Sequence, residues 1–494
     1  MGRRTSQDKL SVGLWVALAL VSCRSAAAES PRPSAEPRAQ AAAPARAPAP
    51  ALEGAWVGTL QPAGGQLRVV VKLQRRAAGW AATFDSPDQH AEGIPIDTVV
   101  FDANELTLRS AAIQASFKGR LKGDSLVGTF VQRGAELPLT LTRTSTPPTT
   151  SRRPQEPVPP FPYDEVALVV DNPSGKDRLA CTLTKPRGAG PFAAVVLITG
   201  SGPQNRDEAL AGHKPFLVLA DALARHAIAA LRCDDRGTGQ STGDYATATT
   251  FDFVGDVLAE VAALRMRADI SPARLGLVGH SEGAIIAPIA AVRSSDVKFV
   301  VLLATPAVPG RETLELQSAA LGKAKGATDA QLAEAAAIQR EVYAILETEK
   351  DGPAAAKKLR ERYAALPESE RQEIGPAVAD AQIKQVTAPW FRTFLTLDPR
   401  VFLRQLAVPV LALQGERDLQ VLPGANLPEL RKALRDKPDV TIRELPGLNH
   451  LLQACQTGLP DEYARIDETL SPVVLSLVVD WIGQRGQGSS NRPR

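Results

Sequence analysis

Apolar and polar residues alternate in short runs from Leu52 to Arg143, at 55–60, 67–74, 79–84, 96–101, 105–109, 112–121, 125–131 and 136–142. Strand side chains point to alternate faces, so runs recurring about every 8–12 residues, with Gly, Asp and Asn between them, predict a small antiparallel all-β barrel or sandwich over 51–143. Residues 144–162 (TSTPPTTSRRPQEPVPPFP) read as an extended Pro-rich linker. Beyond it the period switches. Continuous apolar runs at 192–199, 228–233, 273–279, 298–305 and 409–414 alternate with helical patterns at 213–226, 252–267, 283–293 and 427–436. Strands that are apolar on both faces and separated by helices predict a parallel sheet covered on both sides, an α/β domain over 163–486. The alternation fails once. Between Thr305 and Val408 the text is helix-forming, with a capping-box start at Thr328 and Gln331, which predicts a helical cap at about 306–400 over the carboxyl ends of the strands. A last strand is expected at 439–445, and 487–494 read as a disordered tail.

The first residues follow a different logic. Arg3, Arg4 and Lys9 precede an apolar run from Val12 to Val21, followed by Ser22-Cys23 and Ala26-Ala27-Ala28. That three-part layout is an export signal over 1–28, and the run is too short for a membrane span, which needs about 20 residues. Leu20-Val21-Ser22-Cys23 resembles a bacterial lipobox, in which Cys23 would carry the lipid; the other reading is ordinary cleavage after Ala28. The expected location is therefore the bacterial periplasm, as an anchored lipoprotein or free, or the exterior. Residues 29–50, mostly Ala, Pro, Arg, Ser and Glu, have no apolar periodicity and read as a disordered tether.

Charge narrows the partners. The 494 residues carry 57 basic and 54 acidic side chains, and the excess lies in the first 50 residues. A neutral body gives no electrostatic reason to expect nucleic acid, and a membrane is expected only through the lipid anchor. Cys181, Cys233 and Cys455 remain after processing, without metal-ligand spacing; they are expected as small core residues, one disulfide being open to an exported chain.

Gly279-His280-Ser281-Glu282-Gly283 follows a predicted strand directly and opens an apolar helix. G-x-S-x-G at a strand-to-helix junction projects the Ser hydroxyl beyond a sheet, with glycines where side chains would collide. Gly239-Gln240-Ser241-Thr242-Gly243 matches the same pattern inside a polar loop, with no helix after it, so Ser281 is the candidate nucleophile and Ser241 is not. A Ser hydroxyl needs a base, and His oriented by a carboxylate is the usual one. His90, His213, His226 and His280 lie elsewhere; His450 alone follows both other candidates in chain order. Asp418, on the loop after strand 409–414, is the orienting carboxylate, with Glu416 as rival. Developing negative charge would be met by the backbone N–H of Glu282 and by one N–H of the loop Thr199-Gly200-Ser201-Gly202-Pro203, from Ser201 or alternatively Gly202. Trp390 and Phe391 either line an acyl pocket or pack the cap onto the core. Asp234, Asp235 and Arg236 are expected to brace a loop.

With these residues placed, the chain from about Pro162 to Gln484 resembles the α/β-hydrolase superfamily. It is similar to bacterial capped serine esterases, described variously as carboxylesterases, dienelactone-hydrolase-like or serine-aminopeptidase-like hydrolases. The resemblance rests on ITGSGPQNRDE (198–208), RCDDRGTGQSTG (232–243), VGHSEGAIIAP (278–288), APWFRTFLTLDP (388–399) and LPGLNHLLQ with the helix ending in VVDWI (445–482). It implies a Ser281, Asp418 and His450 triad, hydrolysis of a small-molecule acyl ester through an acyl-enzyme, and no metal or cofactor. A dienelactone hydrolase carries Cys where Ser281 stands, so lactone specificity does not follow. A peptidase, amidase or thioesterase of the same fold, or an inert envelope ligand-binding protein, are the alternatives.

Overall fold

The computed structural model describes residues 52–61, 67–76, 79–87, 91–110, 113–132, 135–145, 153–173 and 177–486. The signal segment with Cys23, the tether, His90 and the tail 487–494 lie outside these. Two compact units emerge, one formed mainly by residues up to Arg153 and one beginning at Pro154.

The first unit is an antiparallel meander of nine strands: β1 (Gly54–Leu60), β2 (Leu67–Arg76), β3 (Gly79–Ser86), β4 (Ala91–Ile96), β5 (Thr98–Asp102), β6 (Glu105–Ser110), β7 (Ala115–Lys122), β8 (Ser125–Gln132) and β9 (Ala135–Thr144). β1 pairs with both β2 and β9, which leaves β4 and β5 as the edges. The hydroxyl of Ser110 in β6 donates to Pro95 O in β4 (2.7 Å), so the sheet nearly closes on itself. Alternate positions fill its core around Trp56, Leu126 and the stacked Phe84 and Phe130. The sequence pattern did not single out β4, whose AEGIPI text breaks alternation with a Gly and a Pro that belongs on an edge strand.

The second unit opens with an antiparallel pair that the sequence pattern also did not single out, β10 (Tyr163–Asn172) and β11 (Asp177–Pro186). The sheet continues through β12 (Phe192–Ile198), β13 (Ile228–Cys233), β14 (Ile270–His280), β15 (Val300–Leu303), β16 (Val410–Gly415) and β17 (Val440–Leu445), in the spatial order β10-β11-β13-β12-β14-β15-β16-β17. All pairs from β13 onward are parallel. Period-two alternation divides each strand between two cores. Ala193, Val195 and Leu197 of β12 face a layer built by α1 (Pro215–Arg225) and α12 (Pro472–Gly486), while Ala194, Val196 and Ile198 face α2 (Thr250–Arg265) and α3 (Gly283–Arg293). Burial on both faces is why these strands read as unbroken apolar runs.

Between β15 and β16 the chain forms six cap helices, α4 (Gly310–Ala324), α5 (Asp329–Thr348), α6 (Gly352–Ala364), α7 (Glu368–Ile374), α8 (Pro376–Val386) and α9 (Pro389–Thr396), before the short α10 (Arg400–Leu403) and then, beyond β16, α11 (Pro423–Leu434). The capping box at the start of α5 forms as expected: Thr328 N–H donates to Gln331 Oε1 (2.8 Å) and Gln331 N–H donates to Thr328 Oγ1 (3.3 Å). The last part of the expected linker is docked rather than free. Gln155 donates to Leu470 O and accepts from the Thr469 and Leu470 N–H groups.

Cys181 in β11 and Cys233 in β13 are directly opposed across the two strands and joined by a disulfide. The expectation of separate core thiols is corrected here: no spacing in a sequence reveals that two strands 52 residues apart lie in register. Closing a loop of that length stabilises the fold by about 4 kcal/mol in the chain-entropy account. Among the described residues, no helix is long and apolar enough to cross a membrane.

Candidate active site

β14 runs out of the sheet centre and ends at His280, and α3 begins at Gly283. Between them Ser281 has φ +55°, a left-handed conformation that a residue with a Cβ adopts at a cost of about 1–3 kcal/mol where its surroundings impose it. The flanking glycines make the turn sterically feasible. A Cβ on Gly279 would lie 2.0 Å from Gly283 O, and one on Gly283 would lie 2.2 Å from Ile198 O of β12.

The structure brings three sequence-selected side chains together at this turn. His450 Nε2 lies 3.1 Å from Ser281 Oγ, and His450 Nδ1 lies 2.8 Å from Asp418 Oδ2. Asp418 follows β16 and His450 lies on the loop after β17, at the carboxyl edge of the parallel strands, where α/β sheets place their ligands. Asp418 is 1% exposed and His450 5%, so both work in a medium where hydrogen bonds are strong. The carboxylate is fully engaged. Its Oδ1 accepts the backbone N–H groups of Gln420 and Val421 (both 2.8 Å), and its Oδ2 also accepts Gln414 Nε2–H (2.8 Å). These donors fix the carboxylate plane, and through it the imidazole, with Nδ1–H on Asp418 and the Nε2 lone pair toward the hydroxyl. The rival Glu416 is turned away, accepting Gly447 N–H at 2.8 Å.

Among the described residues the backbone N–H groups of Ser201 and Glu282 have no acceptor; Glu282 follows Ser281 in the chain, and Ser201 follows Gly200, where a Cβ would lie 3.2 Å from Ser281 Cβ. Gly202 N–H, the other loop candidate, is spent on Tyr245 Oη (2.9 Å), which removes Gly202 from the choice and leaves Ser201. The Glu282 side chain is buried and turned into the protein. It accepts Thr250 Oγ1–H (2.7 Å), Trp390 Nε1–H (2.8 Å to each oxygen) and the Ser201 hydroxyl. Burial raises its pKa above the ordinary carboxylate value, and these three donors oppose the rise. Trp390 thus ties cap helix α9 to the residue after the nucleophile. Phe391 is 0% exposed and packs its ring near Tyr343, so of its two readings the structure favours the second, core packing that seats the cap, over the lining of an acyl pocket.

The acidic pair after β13 braces the same loop. Asp235 accepts Thr199 Oγ1–H and Gln204 N–H (both 2.8 Å), and burial pushes its pKa well up. Asp234 pairs with Arg206 (2.7 Å), and Arg236 with Asp256 (2.7 Å). Ser241 Oγ donates to Asp234 O and accepts Ala180 N–H, a loop staple with no free hydroxyl. One group among the described residues has ligand atoms close enough to hold a metal ion, Cys181, Cys233 and Glu260, and its sulfurs are already bonded to each other.

A family described as serine aminopeptidase, S33, matches residues 214–454, the stretch that holds Ser281, Asp418 and His450. That match spans just under half of the chain. Among characterised proteins, this chain is similar to esterase EstD of Thermotoga maritima, with 30% identity over 314 residues. The match covers 62% of this chain and 65% of EstD, so it spans less than two thirds of that relative's length. Solved structures give more distant likenesses. The Pyrococcus furiosus esterase Pf2001 shares 14% identity at a TM-score of 0.38, covering 66% of this chain and 90% of that one. A proline iminopeptidase of Mycobacterium smegmatis shares 19% at 0.40, covering 65% and 98%. Likenesses this distant say nothing of activity.

One feature of the candidate site was invisible in the sequence. His280, set aside above as a bystander, lies 4.9 Å from His450 ring to ring and is bonded through both nitrogens, to Glu208 and to His450 O. Glu208 sits in a loop that sequence reasoning assigned no role, and only the tertiary fold brings it back to the nucleophile strand.

Proposed function

We propose that this chain is an α/β-hydrolase, a serine carboxylesterase that cleaves small-molecule acyl esters through an acyl-enzyme on Ser281. The observation that carries this reading is the continuous hydrogen-bonded chain from Ser281 Oγ through His450 to Asp418, at 3.1 and 2.8 Å, beside two amides with no other acceptor. In the proposed reaction His450 Nε2 takes the hydroxyl proton as Oγ attacks the acyl carbonyl. The N–H groups of Ser201 and Glu282 hold the resulting oxyanion. His450 then protonates the departing alcohol, and afterwards takes a proton from the water that attacks the acyl-enzyme, releasing the acid and restoring Ser281. Asp418 keeps the imidazole in the accepting tautomer and offsets its charge. No step calls on a metal or cofactor. The N-terminal signal pattern supports a location outside the cytoplasm for this enzyme, and the Cys181–Cys233 disulfide fits an oxidising compartment.

The family description favours a second reading, cleavage of an aminoacyl amide by the same groups. An aryl ester, an acyl thioester and an aminoacyl anilide, assayed side by side, decide between them. The ester is expected to be turned over fastest, and Ser281→Ala to lose about 10⁴-fold or more of that turnover. Faster turnover of the anilide would assign the amide reading. An unreactive protein that still binds ligand after Ser281→Ala would make it a binding module.

A further inference from the structure

We infer that Glu208 and His280 form a buried charged pair, with His280 donating both ring N–H groups, that positions the oxyanion loop, the nucleophile and the base as one unit. The inference rests on the esterase reading and adds to it two residues outside the triad.

The proton inventory fixes the direction of each bond. His280 Nε2 lies 2.9 Å from the backbone oxygen of His450, which can only accept, so Nε2 carries a hydrogen. Nδ1 lies 2.9 Å from Glu208 Oε1, and that same oxygen accepts Gly200 N–H at 2.8 Å. An oxygen that receives the Gly200 amide and also meets the ring uses both lone pairs when the shared proton sits on nitrogen. The ring then carries two N–H groups and faces a carboxylate. Glu208 is 3% exposed and His280 7%, and Phe216, Leu219, Leu303, Leu452 and Leu470 wall the pair with apolar atoms. Burial works against a charged imidazole there. The Glu208 carboxylate, the accepting His450 carbonyl and the charge of Asp418 outweigh it and raise His280 above its ordinary value.

The three bonds end at, or one residue from, a reacting group. Gly200 precedes Ser201, whose N–H is the proposed oxyanion donor; His280 precedes Ser281; and the carbonyl belongs to His450 itself. Glu208 reaches back to Gly200 because the loop between them turns tightly. Asn205 O accepts Glu208 N–H (2.8 Å), Asn205 Oδ1 accepts Asp207 and Ala209 N–H (3.1 Å each), and Glu208 sits at φ +51°. A left-handed conformation at a residue with a Cβ persists where the surroundings over-determine it. Oxyanion donors and the base–nucleophile distance are the terms of acyl transfer most sensitive to small displacement.

Glu208→Gln tests the pair while keeping its volume. A carboxamide removes the charge that holds the second ring proton, and a neutral ring keeps its hydrogen on Nε2 for His450 O: with the amide oxygen on Gly200, that oxygen then faces a bare Nδ1; with the NH₂ on Nδ1, the Gly200 amide faces a donor. The expected result with an aryl ester is a kcat about 100-fold below wild type and a KM within about two-fold, at unchanged folded fraction. The companion measurement is ¹⁵N-histidine NMR of the full wild-type chain, whose five histidines make assignment by His280→Phe direct. It is expected to give two protonated nitrogens for His280 near neutral pH, and Nε2–H alone in Glu208→Gln. A kcat within about two-fold of wild type, a loss that follows only the folded fraction, or a wild-type His280 with a bare Nδ1 would each overturn the inference. A wild type that hydrolyses no ester would instead remove the esterase reading and the positioning role with it, and the NMR result would still decide whether the charged pair exists.

Discussion

Asp418→Asn is expected to lower kcat for an aryl ester by about 10⁴-fold while leaving the fold intact, because it forces His450 into the wrong tautomer. The structure dictates which way the amide must sit. Oδ1 of Asp418 faces two backbone N–H donors, from Gln420 and Val421, and these cannot adjust. The Asn oxygen must take that place, which turns its NH₂ toward His450 Nδ1. A ring that accepts at Nδ1 carries its proton on Nε2, pointing at Ser281 Oγ, and cannot remove the hydroxyl proton. Steady-state kinetics with a parallel unfolding curve check this. A loss of only a few-fold would mean that Asp418 holds the loop and does not set the tautomer.

Ser281→Ala is expected to have the largest effect, a fall in kcat of about 10⁴-fold or more, with substrate binding retained. Removing one oxygen from a site that otherwise keeps its proposed oxyanion donors would leave electrostatic stabilisation and binding in place, so residual turnover above the uncatalysed rate is expected. Ala at φ +55° keeps the same Cβ and adds no new collision. Ser241→Ala provides the control and is expected to leave kcat unchanged, since Ser241 Oγ is occupied by Asp234 O and Ala180 N–H.

The residues that could be read from the chain were those whose role is written locally. A strand, a glycine-flanked serine and an apolar helix occupy neighbouring text, and a turn with such demands leaves its mark in five letters. Asp418 was reachable because it follows a strand that its own apolar run announces, and His450 because it alone follows both partners in chain order. What escaped depends on register across the sheet or on loops folding back. Cys181 and Cys233 meet only because β11 and β13 align them, and Glu208 meets His280 only through the turn at Asn205. The choice between Ser201 and Gly202 needed Tyr245, more than forty positions away in the chain, to be seen taking one of the two amides. Phe391 and Trp390 are adjacent in sequence yet part company in space, one into the core and one onto Glu282, a distinction that hydrophobicity does not encode. β10 and β11 went unnoticed for a related reason. β10 is the outer strand of the sheet and alternates, so it lacks the unbroken apolar signature of the strands it flanks.

The account stands on a single activated hydroxyl, and labelling the purified wild-type protein with a fluorophosphonate probe, followed by digestion and mass mapping, examines it most directly. One adduct is predicted, on the peptide that contains Ser281, absent from Ser281→Ala and formed far more slowly in Asp418→Asn. An adduct on another serine, or a folded wild-type protein that takes up no probe at all, would contradict it.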